Sequence, residues 1–416
     1  VPTTRMGSKR LLRDLNQNIV FNLITRHGTI SRTELAKLSK LPAATITRIV
    51  GNFLESGLIS EVAADASSGG RRPILLSINP SAGYVAGVKL REDGMTVTIC
   101  DLSCTPLFTC EQQITPGMTP QQIIDVIAEA VERSWREAGI VKQQILGVGV
   151  GLSGLIDSVH GICRYSAILG WRDIELGPAL MHKLHVSVRV DNDVNTLAVA
   201  ERYFGAGRDA ANFLMVTLGR GNGIGIVVGG EIYRGSYGAA GEFGHITIDT
   251  AEDAPLCTCG KRGCLEAIAS DFAIQRRAIE SYPERYAGAT ITDLIERAQQ
   301  GDQFLIDVFA HAGEALGIAI ANMINLFDPT CVLIGGEGLR AGNLILDAMH
   351  AALPRHIFGP TTAENLKLIF CPMDETYWAR GAASLILREM LQPPIYEKEE
   401  VLPIDTLLSQ GNASRP

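Results

Sequence analysis

No run of about 18 uninterrupted apolar residues occurs in the 416-residue chain, and its first residues lack the charged, apolar, small-residue succession of a secretory signal. Both absences argue against a membrane-spanning or exported protein and predict a cytoplasmic one. With 46% hydrophobic and 20% charged residues, and Gly 43 and Pro 18, the composition excludes disorder, collagen and small disulfide scaffolds. An excess of positive charge is also missing: the formal net charge is -8, which argues against a chain wholly devoted to nucleic acid. The nine cysteines are odd in number and unevenly placed, so a disulfide framework is not expected in a reducing compartment.

The charge that is present is segregated. Residues 1–80 carry 11 Lys+Arg against 5 Asp+Glu, and the remainder carries 26 against 40. A basic head on an acidic body suits a protein with more than one task, and the length allows two to four domains.

In the head, Leu11, Leu12, Leu15, Ile19, Val20, Leu23 and Ile24 recur at helical spacing. Ser31-Arg32-Thr33-Glu34 then reads as a capping box that starts a second helix. The second helix breaks at Leu41-Pro42, and a third carries Ile46, Ile49, Val50, Phe53 and Leu54 and ends at Gly57. The three make a helix-turn-helix. The third presents Ala43, Ala44, Thr45, Thr47 and Arg48 near its start, small or polar residues that approach base edges without steric cost. Two strands, Leu58 to Val62 and Ile74 to Ile78, flank a wing whose Arg71 and Arg72 suit phosphates or a minor groove. Operator DNA is the expected partner; a small helical interaction domain with solvated arginines is the alternative.

The body reads as α/β layers. Tyr84 to Leu90 and Met95 to Asp101 form a hairpin around Asp93-Gly94, Thr119-Pro120 starts a helix, and Ile145 to Leu152 is an apolar strand ending in Gly151-Leu152-Ser153-Gly154. A second hairpin, Phe213 to Leu218 with Ile224 to Val228, surrounds Gly219-Arg220-Gly221-Asn222-Gly223, which suggests duplication. A helix over Phe304 to Phe327 leads into the strand Cys331 to Ile334 and Gly335-Gly336. The expected divisions are residues 1–80, a first lobe 81–191 rejoined by about 380–391, a second lobe 192–379, and a polar tail 392–416.

Cys257, Cys259 and Cys264 stand at tight spacing with Gly260 and Gly263, which let the chain wrap a small ion, and His245 lies upstream. Three thiolates and an imidazole fit tetrahedral zinc in a structural role, against a redox pair or buried free thiols. Glu242-Phe243-Gly244-His245, followed by Cys-x-Cys-Gly-x-x-Gly-Cys-Leu-Glu ending at Glu266, resembles the signature of the ROK family (repressor, open reading frame, kinase). With the winged helix, the chain up to about residue 390 resembles that family's sugar-responsive repressors. The resemblance implies an actin-like (ribonuclease H-like) two-lobed sugar-kinase fold behind the winged helix-turn-helix, a structural zinc bound by His245, Cys257, Cys259 and Cys264, and a homodimer or dimer of dimers. It also implies a sugar site made of Gly154, Asn192, Asp193, Glu242, His245 and Glu266, with Ser153 where proline is usual. In the family's kinases the residue at Asp193 is the general base.

Kinases of the family carry Asp-x-Gly-Gly-Thr in the first hairpin, and this chain reads Lys89-Leu90-Arg91-Glu92-Asp93. Without those glycines the backbone cannot approach phosphates closely. The expected function is a repressor of carbohydrate uptake or catabolism genes, not an enzyme, released by a sugar or sugar phosphate between the lobes. An ATP-dependent sugar kinase is the alternative, as is control by a transporter protein partner.

Overall fold

A computed structural model describes residues 9–63, 74–359, 365–371 and 376–392. The chain divides into two compact units, residues 1–208 with 375–416 and residues 209–374.

The first unit begins with helix α1 (Lys9–His27), strand β1 (Ile30–Ser31), and helices α2 (Arg32–Ser39) and α3 (Ala43–Glu55). Strands β2 (Ile59–Ala63) and β3 (Ile74–Ile78) pair antiparallel, with β1 on the other side of β3. The expected capping box forms: the Glu34 N–H donates to Ser31 Oγ, and the Ser31 N–H donates to the Glu34 carboxylate. These bonds hold the Glu34 carboxyl below its usual range. Val20, Phe21, Ile24, Leu35, Ile46, Ile49 and Phe53 fill the interior; in α3 the period read from the sequence is the period of burial, whereas in α1 Leu12 and Ile19, expected on the inner face, are exposed, and Asp14, Gln17 and Asn18 are buried. This is a winged helix. Arg71 and Arg72 lie outside the described residues.

The same unit continues with β4 (Tyr84–Leu90), β5 (Gly94–Asp101), β6 (Pro106–Gln113), α4 (Pro120–Glu137) and β7 (Ile145–Leu152). A small antiparallel sheet of β8 (Leu155–Asp157), β9 (Ile162–Ser166) and β10 (Trp171–Ile174) follows, then α5 (Leu176–Leu184), β11 (Ser187–Asn192) and α6 (Asp193–Phe204). The main sheet runs β6-β5-β4-β7-β11, with β7 parallel to both β4 and β11.

The second unit holds β12 (Phe213–Leu218), β13 (Asn222–Val228), β14 (Glu231–Ile232), the helices α7 (Glu266–Ala269), α8 (Asp271–Ser281), α9 (Pro283–Tyr286), α10 (Ile291–Gln299) and α11 (Gln303–Phe327), then β15 (Cys331–Gly335), α12 (Asn343–His356) and β16 (Lys367–Phe370). Its sheet runs β14-β13-β12-β15-β16, with three antiparallel strands followed by two parallel ones. That order repeats the first unit's sheet strand for strand, which bears out the duplication expected from the two hairpins. Helix α11 is long and apolar enough to cross a membrane, but Leu305, Phe309, Leu316 and Ile320 are fully buried in the second unit's core. It is a core helix.

The last helix, α13 (Tyr377–Leu391), returns to the first unit. It packs on α6, where Ser384 Oγ donates to the Thr196 carbonyl (3.4 Å) and Tyr377 Oη to Glu201 (2.6 Å). The break between units therefore falls after Arg208, one helix beyond the boundary expected at 191, because α6 is held by α13. Helix α13 also lies directly on β4 and β7: a Cβ at Gly87 would stand 1.9 Å from the Ala379 carbonyl oxygen, and one at Gly149 1.8 Å from that of Ala382. Gly149→Ala is therefore expected to lower stability by about 1–3 kcal/mol or more through overpacking. Gly51→Ala, with open space around it inside α3, should raise it by about 0.5–1 kcal/mol. Thermal melting of the two variants checks the pair.

Candidate functional site

On the head, α3 turns Ile46, Ile49, Val50 and Phe53 inward and leaves Ala43, Thr47 and Arg48 exposed, with Thr45 half-buried. The residues expected to read DNA thus form the outer face of α3. Thr47 Oγ1 donates back to the Ala43 carbonyl (2.9 Å).

In the first unit, Asn192 and Asp193 stand at the carboxyl end of β11, where α6 begins. Asn192 caps that helix: its Oδ1 accepts from the Val194 and Asn195 N–H groups, while its Nδ2 donates to the Gly154 carbonyl (3.2 Å); Asp193 Oδ1 also accepts the Val194 N–H (2.9 Å). Gly154 has φ +136, and a Cβ there would meet the Tyr165 carbonyl oxygen at 2.3 Å. Gly154, Asn192 and Asp193 are therefore brought together. A residue that sequence reasoning did not pair with them completes the group. Lys89, at the end of β4, makes an ion pair with Asp193, both side chains being largely shielded, and its ammonium lies 4.5 Å from the centre of the Trp378 ring. The available signal was register: Lys89 and Asp191 both pair with Gly151, so the ends of three neighbouring strands converge.

The first hairpin is closed on itself. Arg91 donates to Thr96 Oγ1 (2.8 Å) and to Glu111 (2.7 Å), tying the turn back to β5 and β6.

In the second unit, the short turn Phe243–His245 follows an exposed Glu242, and Glu266 opens α7. A Cβ at Gly244 would lie 3.1 Å from Glu266 Oε2, so the glycine lets the carboxylate settle against the turn that carries His245. Asn222, missed by sequence reasoning, is buried beside this turn. Its carbonyl oxygen would lie 2.7 Å from the same Cβ, and its side-chain amide has no hydrogen-bond partner among the described residues.

His245, Cys257, Cys259 and Cys264 offer ligand atoms that all lie within 4.8 Å of one another. Cys257 Sγ is 3.5 Å from His245 Nδ1, and Cys259 Sγ is 3.7 Å from Cys264 Sγ. A tetrahedral ion with metal–sulfur bonds of about 2.3 Å needs sulfurs about 3.7 Å apart. The loop is shaped for this: Gly263 has φ +70, and a Cβ there would collide with the Asp249 carbonyl oxygen at 1.7 Å. Lys261 Nζ donates to the His245 carbonyl (2.7 Å) and anchors the histidine. The cluster can bind a metal ion.

Burial and the hydrogen bonds of neighbouring thiols push the Cys264 thiol up to about 12. Burial also raises Cys259, but the Lys261 backbone N–H and the other two thiols outweigh it and bring that thiol below its ordinary value.

A winged helix joined to two repeated α/β lobes, the second with a Cys3His cluster, defines a DNA-binding regulator on a sugar-kinase-like, actin-like fold. The chain belongs to the ROK family, which it matches over residues 85–389, and residues 13–60 match the winged helix-turn-helix DNA-binding family. The DNA-binding transcriptional dual regulator NagC of Escherichia coli strain K12 is 32% identical over 397 residues, covering 93% of this chain and 96% of that protein. The xylose repressor of Caldicellulosiruptor bescii is 28% identical over 401 residues, covering 94% and 100%. Among solved structures, a ROK family transcriptional regulator homologous to the E. coli MLC protein superposes with a TM-score of 0.81 at 27% identity, covering 96% of this chain and all of the other. A ROK family glucokinase from Streptomyces griseus, solved with glucose and AMPPNP, gives 0.63 at 29% identity, covering 73% of this chain and 99% of the other.

Burial and the neighbouring thiols raise the Cys264 thiol, and it is the thiolate that binds metal, so metal binding releases protons and strengthens as pH rises. The expected outcome is a metal ion retained in neutral to mildly alkaline solution and released progressively as the solution is acidified. Elemental analysis after dialysis at each pH measures it.

Proposed function

We propose that this chain is a transcriptional repressor of carbohydrate uptake or catabolism genes. It binds operator DNA through α3 and the wing with Arg71 and Arg72, and it is released by a sugar or sugar phosphate. Gly154, Asn192, Asp193, Glu242, His245 and Glu266 are the effector-binding set. Carboxylates and amides of this kind accept and donate to sugar hydroxyls, and the charge-assisted bonds are the strong ones. The chain works where its DNA is, in the cytoplasm, as a homodimer or dimer of dimers whose paired heads meet half-sites at fixed spacing.

One observation carries the non-enzymatic part of the reading: Asp193, the residue at the position of the kinases' base, is ion-paired to Lys89. A base must take a proton from a hydroxyl, and here the carboxylate already faces an ammonium. The self-tied hairpin with Arg91 and Glu92 in place of glycines supports the same conclusion, since it offers no close backbone approach to ATP phosphates. The metal is zinc in a structural role, held by His245, Cys257, Cys259 and Cys264; it would fix the loop between the Glu242 turn and Glu266.

Fluorescence anisotropy on a duplex from the chain's own upstream region tests the proposal, with titrations of free sugars and sugar phosphates. Arg48→Ala is expected to lose about 1–3 kcal/mol on the operator and little on scrambled DNA. A sugar or its phosphate should release the wild-type protein without any ADP produced from magnesium ATP. Asp193→Asn should weaken that effector about 10- to 100-fold. Sugar-dependent ADP formation abolished by Asp193→Asn would make the chain a kinase instead. Normal DNA binding with no release by any sugar would point to a transporter protein as the effector.

A further inference from the structure

Within the second glycine-rich segment, the turn Gly219-Arg220-Gly221 joins β12 to β13, and backbone N–H groups in such a turn can bind an anion. In this chain one N–H of that turn, that of Arg220, is already bonded to a carboxylate. After β15 the backbone turns through Gly336 at φ +101, so close to β12 that a Cβ at Gly336 would lie 2.2 Å from the Leu218 carbonyl oxygen. A Cβ at Gly338 would lie 2.9 Å from the Gly219 nitrogen. This passage carries Glu337 over the turn. A Cβ at Gly219 would lie 2.4 Å from Glu337 Cδ and 2.5 Å from Oε1, and Oε1 accepts the Arg220 N–H at 3.2 Å.

The arrangement is braced on both sides. Arg340 Nη1 donates to the Glu337 carbonyl (3.0 Å) and Nη2 pairs with Asp271, while the Asp271 N–H donates to the Gly219 carbonyl (2.9 Å). Both sides of the contact between Gly219 and Glu337 are thus fixed through one arginine and one aspartate.

We propose that Glu337 is an internal anion that occupies this turn in place of a phosphate, so the second lobe retains a phosphate-binding turn but holds it closed against nucleotides. Two effects favour the internal group. A tethered carboxylate competes at an effective concentration that a free ligand seldom reaches. A phosphate brought to the same N–H would also face a like charge. The regulator would therefore answer its sugar without interference from adenine nucleotides. The inference rests on the non-enzymatic reading of this fold; Glu337 belongs neither to the effector set nor to the metal cluster, although the same turn also meets Glu266, whose Oε2 would lie 2.8 Å from a Cβ at Gly221.

Calorimetric titration of the full chain with magnesium ADP and with inorganic pyrophosphate tests the proposal, comparing wild type, Glu337→Gln and Glu337→Ala. Wild type is expected to bind either probe at least about tenfold more weakly than Glu337→Ala. Glu337→Gln, which keeps an acceptor for the Arg220 N–H and loses only the charge, should fall between them and serves alone if the alanine variant does not fold. Wild type binding as tightly as both variants would overturn the proposal. So would no gain in either variant while its melting temperature and operator binding match wild type. Release of DNA by sugar should be the same in all three; its absence from all three would count against the repressor reading and leave the test of Glu337 standing.

Discussion

Helix α13 is the constraint on which the first unit depends. It can lie on β4 and β7 only because Gly87 and Gly149 leave no side chain in its way and because its own contact residues, Ala379, Ala382 and Ala383, are small. At such a separation the backbones touch, and close packing leaves no slack for the helix to shift on its own. Its 15 residues span about 22 Å. At one end Trp378 lies under the Lys89 ammonium; at the other, Asn18 Nδ2 donates to the Met390 and Gln392 carbonyls (3.0 Å each) and Asn22 Nδ2 to the Leu391 carbonyl (2.7 Å). The asparagines of α1 thereby satisfy carbonyls that a helix end would otherwise leave unbonded. Residues proposed to sense a sugar and the helix that opens the DNA-binding head are tied to opposite ends of one rod.

The head is correspondingly not a bead on a linker. Val20, Phe21, Ile24, Phe53 and Ile78 share one core with Cys100, Leu102, Leu146, Ile386, Leu387 and Met390, so the winged helix and the first lobe exclude water together. Domains joined by a small polar contact move independently by default; a shared apolar core removes that freedom. Motion of the lobe therefore becomes motion of α3.

What could be read beforehand was local. The capping box at Ser31 and Glu34, the short apolar runs of the strands and the Cys-x-Cys-Gly-x-x-Gly-Cys spacing all place interacting groups within a few residues, where geometry follows from helix, strand or turn alone. The groups that set the character of the site lie far apart in the chain. Lys89 and Asp193 are separated by 104 positions, Asn18 and Met390 by 372, and Arg220 and Glu337 by 117. No periodicity encodes such a pair, because register and crossover decide it. The boundary expected at 191 missed for the same reason: α6 looks like the start of a new lobe until α13 arrives from the end of the chain to hold it.

The Lys89–Asp193 pair then explains how a kinase-like fold can serve as a sensor. Leaving one member of a largely buried ion pair without its countercharge costs more than the pair contributes, so neither residue can be lost singly without penalty. At the proposed sugar site a hydroxyl arriving at Asp193 would have to share or displace the ammonium, which in turn lies over Trp378. In the proposed sugar site, ligand binding would thus be coupled, through a charge rather than through a flexible loop, to the end of α13. A shift there is the differential contact that a two-state regulator needs, since a ligand moves an equilibrium only by as much as it prefers one state over the other.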